Sequence, residues 1–271
     1  MSAPIGGSTR VAGVIGWPIS HSKSPALHNS WLQAASIDAV YLPFPVAPEG
    51  LPAFIAGMRA TSCVGLNVTL PHKVAMLDLV DTLTPTAKAV GAVNTVTFAP
   101  GRIEGHNTDA DGYITSVRQF VPEWQPAAAP AVVLGAGGAA RAVAVGLCDA
   151  GVPAVRILNR TRARADALVG SIDGALSAHE WATPAAALAD AGLVVNTTSL
   201  GMSGGSPLEL DLTGLPPTAV VSDIVYDPEE TQLLRWGRAR GHAAVPGRSM
   251  LIEQARLSFA RWFGVTPTGP G

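Results

Sequence analysis

Lysine is scarce in this chain: only Lys23, Lys73 and Lys88 stand beside 15 arginines in 271 residues. Charge of either sign is scarce as well, at 14% of the sequence, against about 25% in an ordinary globular chain. With 48% hydrophobic residues alongside, so few charges exclude a disordered chain, a coiled coil and a polycationic nucleic-acid binder. A net charge of −2 supplies no one-sided field to steer a polyanion.

Cysteine is nearly absent. Cys63 and Cys148 cannot build a disulfide framework, and no Cys-x-x-Cys pair offers a metal site. That usage fits a reducing compartment. Long apolar runs are missing too. The longest uncharged stretches, residues 124–140 and 191–207, are interrupted by Pro, Gly, Ser or Thr, and neither is the roughly 20-residue apolar span a membrane crossing needs. Residues 1–10 hold no apolar core for a signal peptide and read as a frayed tail before the first strand. The expectation is a soluble cytoplasmic globular protein with no membrane partner. What the chain does have is punctuation, 29 Gly and 22 Pro, which predicts short elements closed by turns.

In the first half, strands are expected over residues 11–15, 39–44 and 63–68. Residues 93–98 and 102–106 flank Ala99-Pro100-Gly101 as a hairpin. Ser24 and Pro25 read as the N-cap and first residue of a helix reaching 35, with Leu27, Trp31, Leu32 and Ala35 on one face. A short helix is expected over 52–60, another over 113–120, and a Pro/Ala-rich joint over 122–130. Thereafter strands at 131–134, 155–158, 193–196, 219–224 and 243–245 alternate with helices at 138–150, 162–169 and 231–240. This is the rhythm of a parallel sheet with covering helices. A final helix over 249–263 has Met250, Leu251, Leu257, Trp262 and Phe263 to bury after that sheet is complete, and the first half is a candidate place for it to dock.

Gly135-Ala136-Gly137-Gly138-Ala139-Ala140 joins a predicted strand to a predicted helix. A dinucleotide pyrophosphate needs that setting: Gly135 for a tight turn, Gly137 for backbone approach, and a helix N-terminus for the charge. An NAD site would place an acid after the next strand, yet no Asp or Glu occurs between Ala150 and Ala165. Asn159-Arg160-Thr161-Arg162-Ala163-Arg164 stands there instead. Guanidinium groups grip phosphate through forked, charge-assisted bonds, so NADP is favoured over a merely solvated basic helix start. The first half adds polar residues at strand ends in the segments Ser20–Pro25, Asn67–Lys73, Val93–Thr95 and His106–Asp109, which together hold hydroxyls, amides, ammonium groups and one carboxylate with no metal-ligand spacing. Such a set suits a small polyhydroxylated acid, although Ser24 could serve only as a cap and Asn94 only as a strand residue.

Taken in order, these segments resemble the shikimate dehydrogenase family across nearly the whole chain after the tail. The residues that carry the resemblance are Gly16-Trp17-Pro18-Ile19-Ser20-His21-Ser22-Lys23-Ser24-Pro25, Asn67-Val68-Thr69-Leu70-Pro71-His72-Lys73, Gly91-Ala92-Val93-Asn94-Thr95 and Asn107-Thr108-Asp109. The glycine turn, Asn159-Arg160-Thr161, Asp223-Ile224-Val225-Tyr226-Asp227-Pro228 and Met250-Leu251-Ile252-Glu253-Gln254-Ala255 extend it. The resemblance implies an α/β fold of two αβ domains: a substrate domain over 1–109, completed by a returning helix within 247–271, and a Rossmann-type NADP domain over 110–246. It implies reversible NADP(H)-dependent reduction of 3-dehydroshikimate to shikimate, without a metal, by a monomer or homodimer. Lys73 would be the principal acid/base group, paired with Asp109. Ser22 and Ser24 would bind the substrate carboxylate, with Tyr226 near it. Asn67, Thr69, Asn94, Asp109 and Gln254 would hold the ring hydroxyls. Gly135, Ala136, Gly137, Gly138 and Ala139 would cradle the pyrophosphate, Asn159, Arg160, Thr161 and Arg164 the 2′-phosphate, and Gly247 would lie near the nicotinamide. Two positions depart from the family pattern: Arg248 where an apolar residue is usual, and Ala110 where Gly is frequent. A quinate/shikimate or aminoshikimate dehydrogenase on the same scaffold is the nearest alternative, and a non-catalytic NADP-binding regulator the more distant one.

Overall fold

The computed structural model describes residues 5–269. Contacts divide the chain into two compact units, one reaching to Thr108 and resuming at Ala255, the other Asp109–Gln254. In the first unit the elements are β1 (Arg10–Gly16), α1 (Ser24–Ala34), β2 (Ala39–Pro45), α2 (Leu51–Met58), β3 (Cys63–Val68), β4 (Thr82–Leu83), α3 (Pro85–Val90), β5 (Thr95–Ala99) and β6 (Arg102–His106). They build a mixed six-stranded sheet ordered β2-β1-β3-β5-β6-β4. Ile15, Leu66, Val68, Met76, Val93, Val96 and Ile103 form its buried apolar layer.

The second unit holds α4 (Asp109–Phe120), β7 (Ala131–Leu134), α5 (Gly138–Asp149), β8 (Val155–Asn159), α6 (Arg162–Val169), β9 (Leu176–Glu180), α7 (Ala185–Leu188), β10 (Leu193–Asn196), β11 (Val220–Asp223), α8 (Gln232–Ala239) and β12 (Ala244–Val245). Its sheet is parallel throughout, ordered β12-β11-β10-β7-β8-β9. Strand order therefore reverses between β7 and β10, as in a doubly wound nucleotide fold. Strands β7, β10 and β11 are buried at every position, as a sheet covered on both faces requires. The last helix, α9 (Gly247–Phe263), begins in this unit and ends in the first.

Several local expectations change. Helix α1 buries His28 with Trp31 and Leu32, while Ala35, expected on that face, is exposed. Lys23 takes the N-cap position, and Ser24 is already helical. Asp109 opens α4, well before the predicted start at 113, and Asp111 joins it in the first turn, where carboxylates suit the helix dipole. Asn94 precedes β5 rather than lying in it. Of the tail expected over residues 1–10, residues 1–4 lie outside the described residues. The rest is tied down: Thr9 Oγ1 accepts from the Gly6 N–H at 2.9 Å and donates to Asp38 Oδ1 at 2.7 Å. Among the described residues no helix is long and apolar enough to cross a membrane.

Candidate active site

Four polar segments leave the first unit's sheet at one edge. Strands β1 and β3 are parallel, with Ile15 opposite Val68. Strand β5 runs antiparallel to β3, so its first residue, Thr95, faces Asn67, and β6 brings His106 opposite Thr95. The ends of β1, β3 and β6 and the start of β5 therefore coincide. Backbone bonds lace the emerging loops together. The Thr69 N–H donates to the Ile15 carbonyl at 2.9 Å, Trp17 to Leu70 at 3.1 Å, Val68 to Asn94 at 2.8 Å and Asn94 to His106 at 3.0 Å. The Val93 N–H donates to the Lys73 carbonyl at 2.9 Å, which holds the lysine's backbone against the segment carrying Asn94.

The side chains at this edge are fixed to different degrees. Asn94 is buried; its Oδ1 accepts the Thr108 N–H at 2.7 Å and its Nδ2 donates to Thr108 Oγ1 at 3.0 Å. Asn67 is buried too, with Oδ1 accepting from the Tyr41 hydroxyl at 2.7 Å and Nδ2 donating to Ser258 Oγ at 2.9 Å. Ser22, Ser24, Thr69 and Lys73 are half-buried. Ser22 Oγ accepts the Ser24 N–H at 3.3 Å, so Ser22 closes the turn into α1 and the Ser24 hydroxyl is spared that task. Six sequence-derived candidates thus lie on segments that leave one sheet edge, the backbone of Lys73 among them.

The remaining three, Asp109, Tyr226 and Gln254, belong to the second unit. A β-carbon on Gly112 would stand 2.7 Å from the Gln254 nitrogen, so α4, which Asp109 begins, lies against α9 at Gln254. A β-carbon on Gly247 would stand 2.4 Å from the Ile224 carbonyl and 2.6 Å from that of Val225. That close approach sets the start of α9 beside the loop carrying Tyr226, which is exposed. The buried Asp223 anchors the loop by accepting from Asn196 Nδ2, the Val225 N–H and Thr231 Oγ1 at 3.0, 3.0 and 2.7 Å. Burial nevertheless pushes its carboxyl up to about 6. Arg248 is exposed and pairs with Glu229 at 3.7 Å.

The glycine turn sits where strand order reverses. Gly135 has φ +112°, a left-handed conformation, and a β-carbon there would meet Thr197 Oγ1 at 2.8 Å. Gly137 is the N-cap of α5, no side chain caps that helix, and open space surrounds Gly137 and Gly138. A 12-residue helix thus presents bare N–H groups beneath a surface that admits a large anion. Asn159 ends β8 and donates through Nδ2 to the Thr161 carbonyl at 2.8 Å. Arg160 and Arg164 are exposed, and neither forms an ion pair among the described residues. Arg162 differs: it pairs with Asp166 at 2.9 Å and Glu180 at 3.3 Å. The acid-free end of β8, two exposed guanidinium groups and the uncapped helix fit a dinucleotide with an additional phosphate. Among the described residues no cluster of three or more His, Cys, Asp or Glu could hold a metal ion.

Residues not singled out as candidates also reach the first unit's edge. Tyr41, Thr95, Thr108 and Ser258 complete one buried network: Thr95 Oγ1 lies 2.8 Å from Ser258 Oγ and 3.2 Å from Thr108 Oγ1. An isolated hydroxyl in a strand or helix gives no sequence signal, and Ser258 lies 191 residues from Asn67.

A doubly wound unit with an uncapped glycine turn, joined to a unit bearing a lysine–amide–hydroxyl cluster, defines a two-domain dinucleotide-dependent oxidoreductase of the α/β class. The match to known proteins is specific. Residues 14–96 fit the shikimate dehydrogenase substrate binding domain, and residues 119–201 fit the shikimate/quinate 5-dehydrogenase domain. The shikimate dehydrogenase (NADP(+)) of Paramagnetospirillum magneticum is 50% identical over 262 residues, covering 96% of this chain and 95% of that protein. The crystal structure of shikimate 5-dehydrogenase from Thermus thermophilus in complex with NADP(H) and shikimate is 36% identical with TM-score 0.85, covering 96% and 95%. Quinate dehydrogenase from Corynebacterium glutamicum in complex with NAD is 31% identical with TM-score 0.89, covering 96% and 95%. The chain belongs to the shikimate dehydrogenase family.

Proposed function

We propose that this chain is a cytoplasmic enzyme that reversibly reduces 3-dehydroshikimate to shikimate with NADPH. The observation that carries the proposal is the gathering of Ser22, Ser24, Asn67, Thr69, Lys73 and Asn94 at one sheet edge. Bound coenzyme would supply the hydride; Gly135 to Ala139 would hold its pyrophosphate, Asn159, Arg160, Thr161 and Arg164 its 2′-phosphate, and Gly247 would serve its nicotinamide end.

Ser22 and Ser24 donate to the substrate carboxylate, with Tyr226 near it, and Asn67, Thr69, Asn94 and Gln254 orient the ring hydroxyls. As the carbonyl becomes an alkoxide it needs both charge stabilisation and a proton. The Lys73 ammonium supplies both within hydrogen-bond reach, and Asp109 is the second group of that acid/base chemistry.

A rate matrix of shikimate and quinate, each with NADP+ and NAD+, tests the reading. Oxidation of shikimate with NADP+ well above the other three combinations supports it. Dominant quinate or NAD+ turnover replaces it with the sister activity of the quinate dehydrogenase neighbour.

A further inference from the structure

Tyr41 is held from three directions. Its backbone N–H donates to Asn29 Oδ1 at 3.0 Å, and its carbonyl accepts from Asn29 Nδ2 at 2.8 Å. One asparagine side chain therefore fills both main-chain positions. Its ring stacks on His28 at 4.1 Å with 5° between the planes. His28 in turn touches Trp31, Phe259 and Trp262, and neither of its ring nitrogens has a partner among the described residues. The imidazole acts here as a flat apolar plate. Tyr41 is almost fully buried, so its hydroxyl has a fixed position.

The direction of the bonds follows from what surrounds Asn67. The Asn94 carbonyl, which can only accept, lies 3.4 Å from Asn67 Nδ2. The amide nitrogen therefore faces that side, and the amide oxygen faces Tyr41. The phenol must donate to it, at 2.7 Å.

We propose that Tyr41 is a positioning residue, setting the amide of Asn67 for the hydroxyls of the substrate's ring. The proposal rests on the substrate role given to Asn67 above. Ser258, the nearest partner of the Asn67 amide nitrogen at 2.9 Å, acts in the same sense from α9.

Tyr41→Phe keeps the stacked ring and removes the bond to Asn67. KM for shikimate is expected to rise about tenfold, with kcat within about threefold and the Kd for NADPH, measured by fluorescence titration, unchanged. Ser258→Ala should raise the same KM by a smaller factor. A role in folding alone would lower Tm without splitting KM from kcat and coenzyme affinity. An unchanged KM in folded Tyr41→Phe, or a matching loss of NADPH affinity, overturns the proposal. The wild-type rate on shikimate, measured alongside, separates the two levels: an active wild type with an indifferent Tyr41→Phe refutes only the positioning role, whereas an inactive wild type refutes the substrate reading beneath it.

Discussion

Trp262 occupies the space that a side chain at position 65 would need. A β-carbon on Gly65 would stand 1.8 Å from the indole nitrogen, which donates to the Val96 carbonyl at 3.0 Å. Strand β3 and the end of α9 meet there with no room to spare. Gly65→Ala should therefore destabilise the chain by about 3 kcal/mol or more, read as a lower urea midpoint at unchanged m-value. In a Trp262→Ala background the added cost of Gly65→Ala should largely vanish, because the clashing atoms are gone.

Lys73 and Asp109 carry the acid/base proposal. Lys73→Ala and Asp109→Asn should each lower turnover by about 10² to 10⁴, while NADPH still binds with wild-type affinity. Steady-state rates and a fluorescence titration on the same preparations decide the matter. Near-normal turnover of folded Lys73→Ala would remove the lysine from the mechanism.

The three arginines after β8 should behave differently. Arg160→Ala and Arg164→Ala should each raise KM for NADP+ by about tenfold to a hundredfold, the loss of a charge-assisted phosphate contact, with little effect on the weak rate with NAD+. Arg162→Ala should leave coenzyme preference nearly unchanged, since that guanidinium is engaged by Asp166 and Glu180. Equal effects at all three positions would mean a diffuse field rather than a shaped clamp.

His28 makes the fold acid-sensitive. Burial lowers its pKa to about 3, and its neighbours Tyr41, Trp31, Phe259 and Trp262 offer no carboxylate. The unfolded chain takes up a proton near pH 6.5 that the native ring refuses. Stability is full above pH 6.5 and falls as pH drops toward 3, by roughly 5 kcal/mol in all. His106, lowered to about 4 by burial with Arg261 adding to the effect, acts in the same direction. Asp223, raised to about 6 by burial, acts oppositely between pH 6 and 4. His28→Phe should flatten the loss between pH 6.5 and 4, measured as urea unfolding by tryptophan fluorescence. An unaltered pH profile would contradict a neutral buried ring.

Legibility followed the kind of signal. Strands buried on both faces, such as β7 and β10, read directly as short apolar runs bounded by turns. Strand β9, with Ser177 and Glu180 exposed and the rest half-buried, has no such run and escaped. Helix α3 carried a readable start, Thr84 capping the Ala87 N–H with Pro85 behind it, yet it is only six residues long. Ser24 misled because a Ser-Pro pair looks like a cap, whereas Ser22 closes the turn two residues earlier. Ser22, Asn67, Lys73 and Asn94 stood out because they sit in contiguous motifs. Tyr41 and Ser258 did not, because their partners are set by the sheet and by α9 rather than by neighbours in the chain.

Helix α9 has a consequence for the order in which the chain matures. The first unit is the earliest part to be synthesised, but it needs Trp262 over Gly65 and Ser258 against Asn67 to close its interior. A nascent chain emerging in sequence therefore completes the doubly wound unit before the one whose segments flank it in the sequence. Until its last segment is made, the lysine-bearing half waits with an open seam.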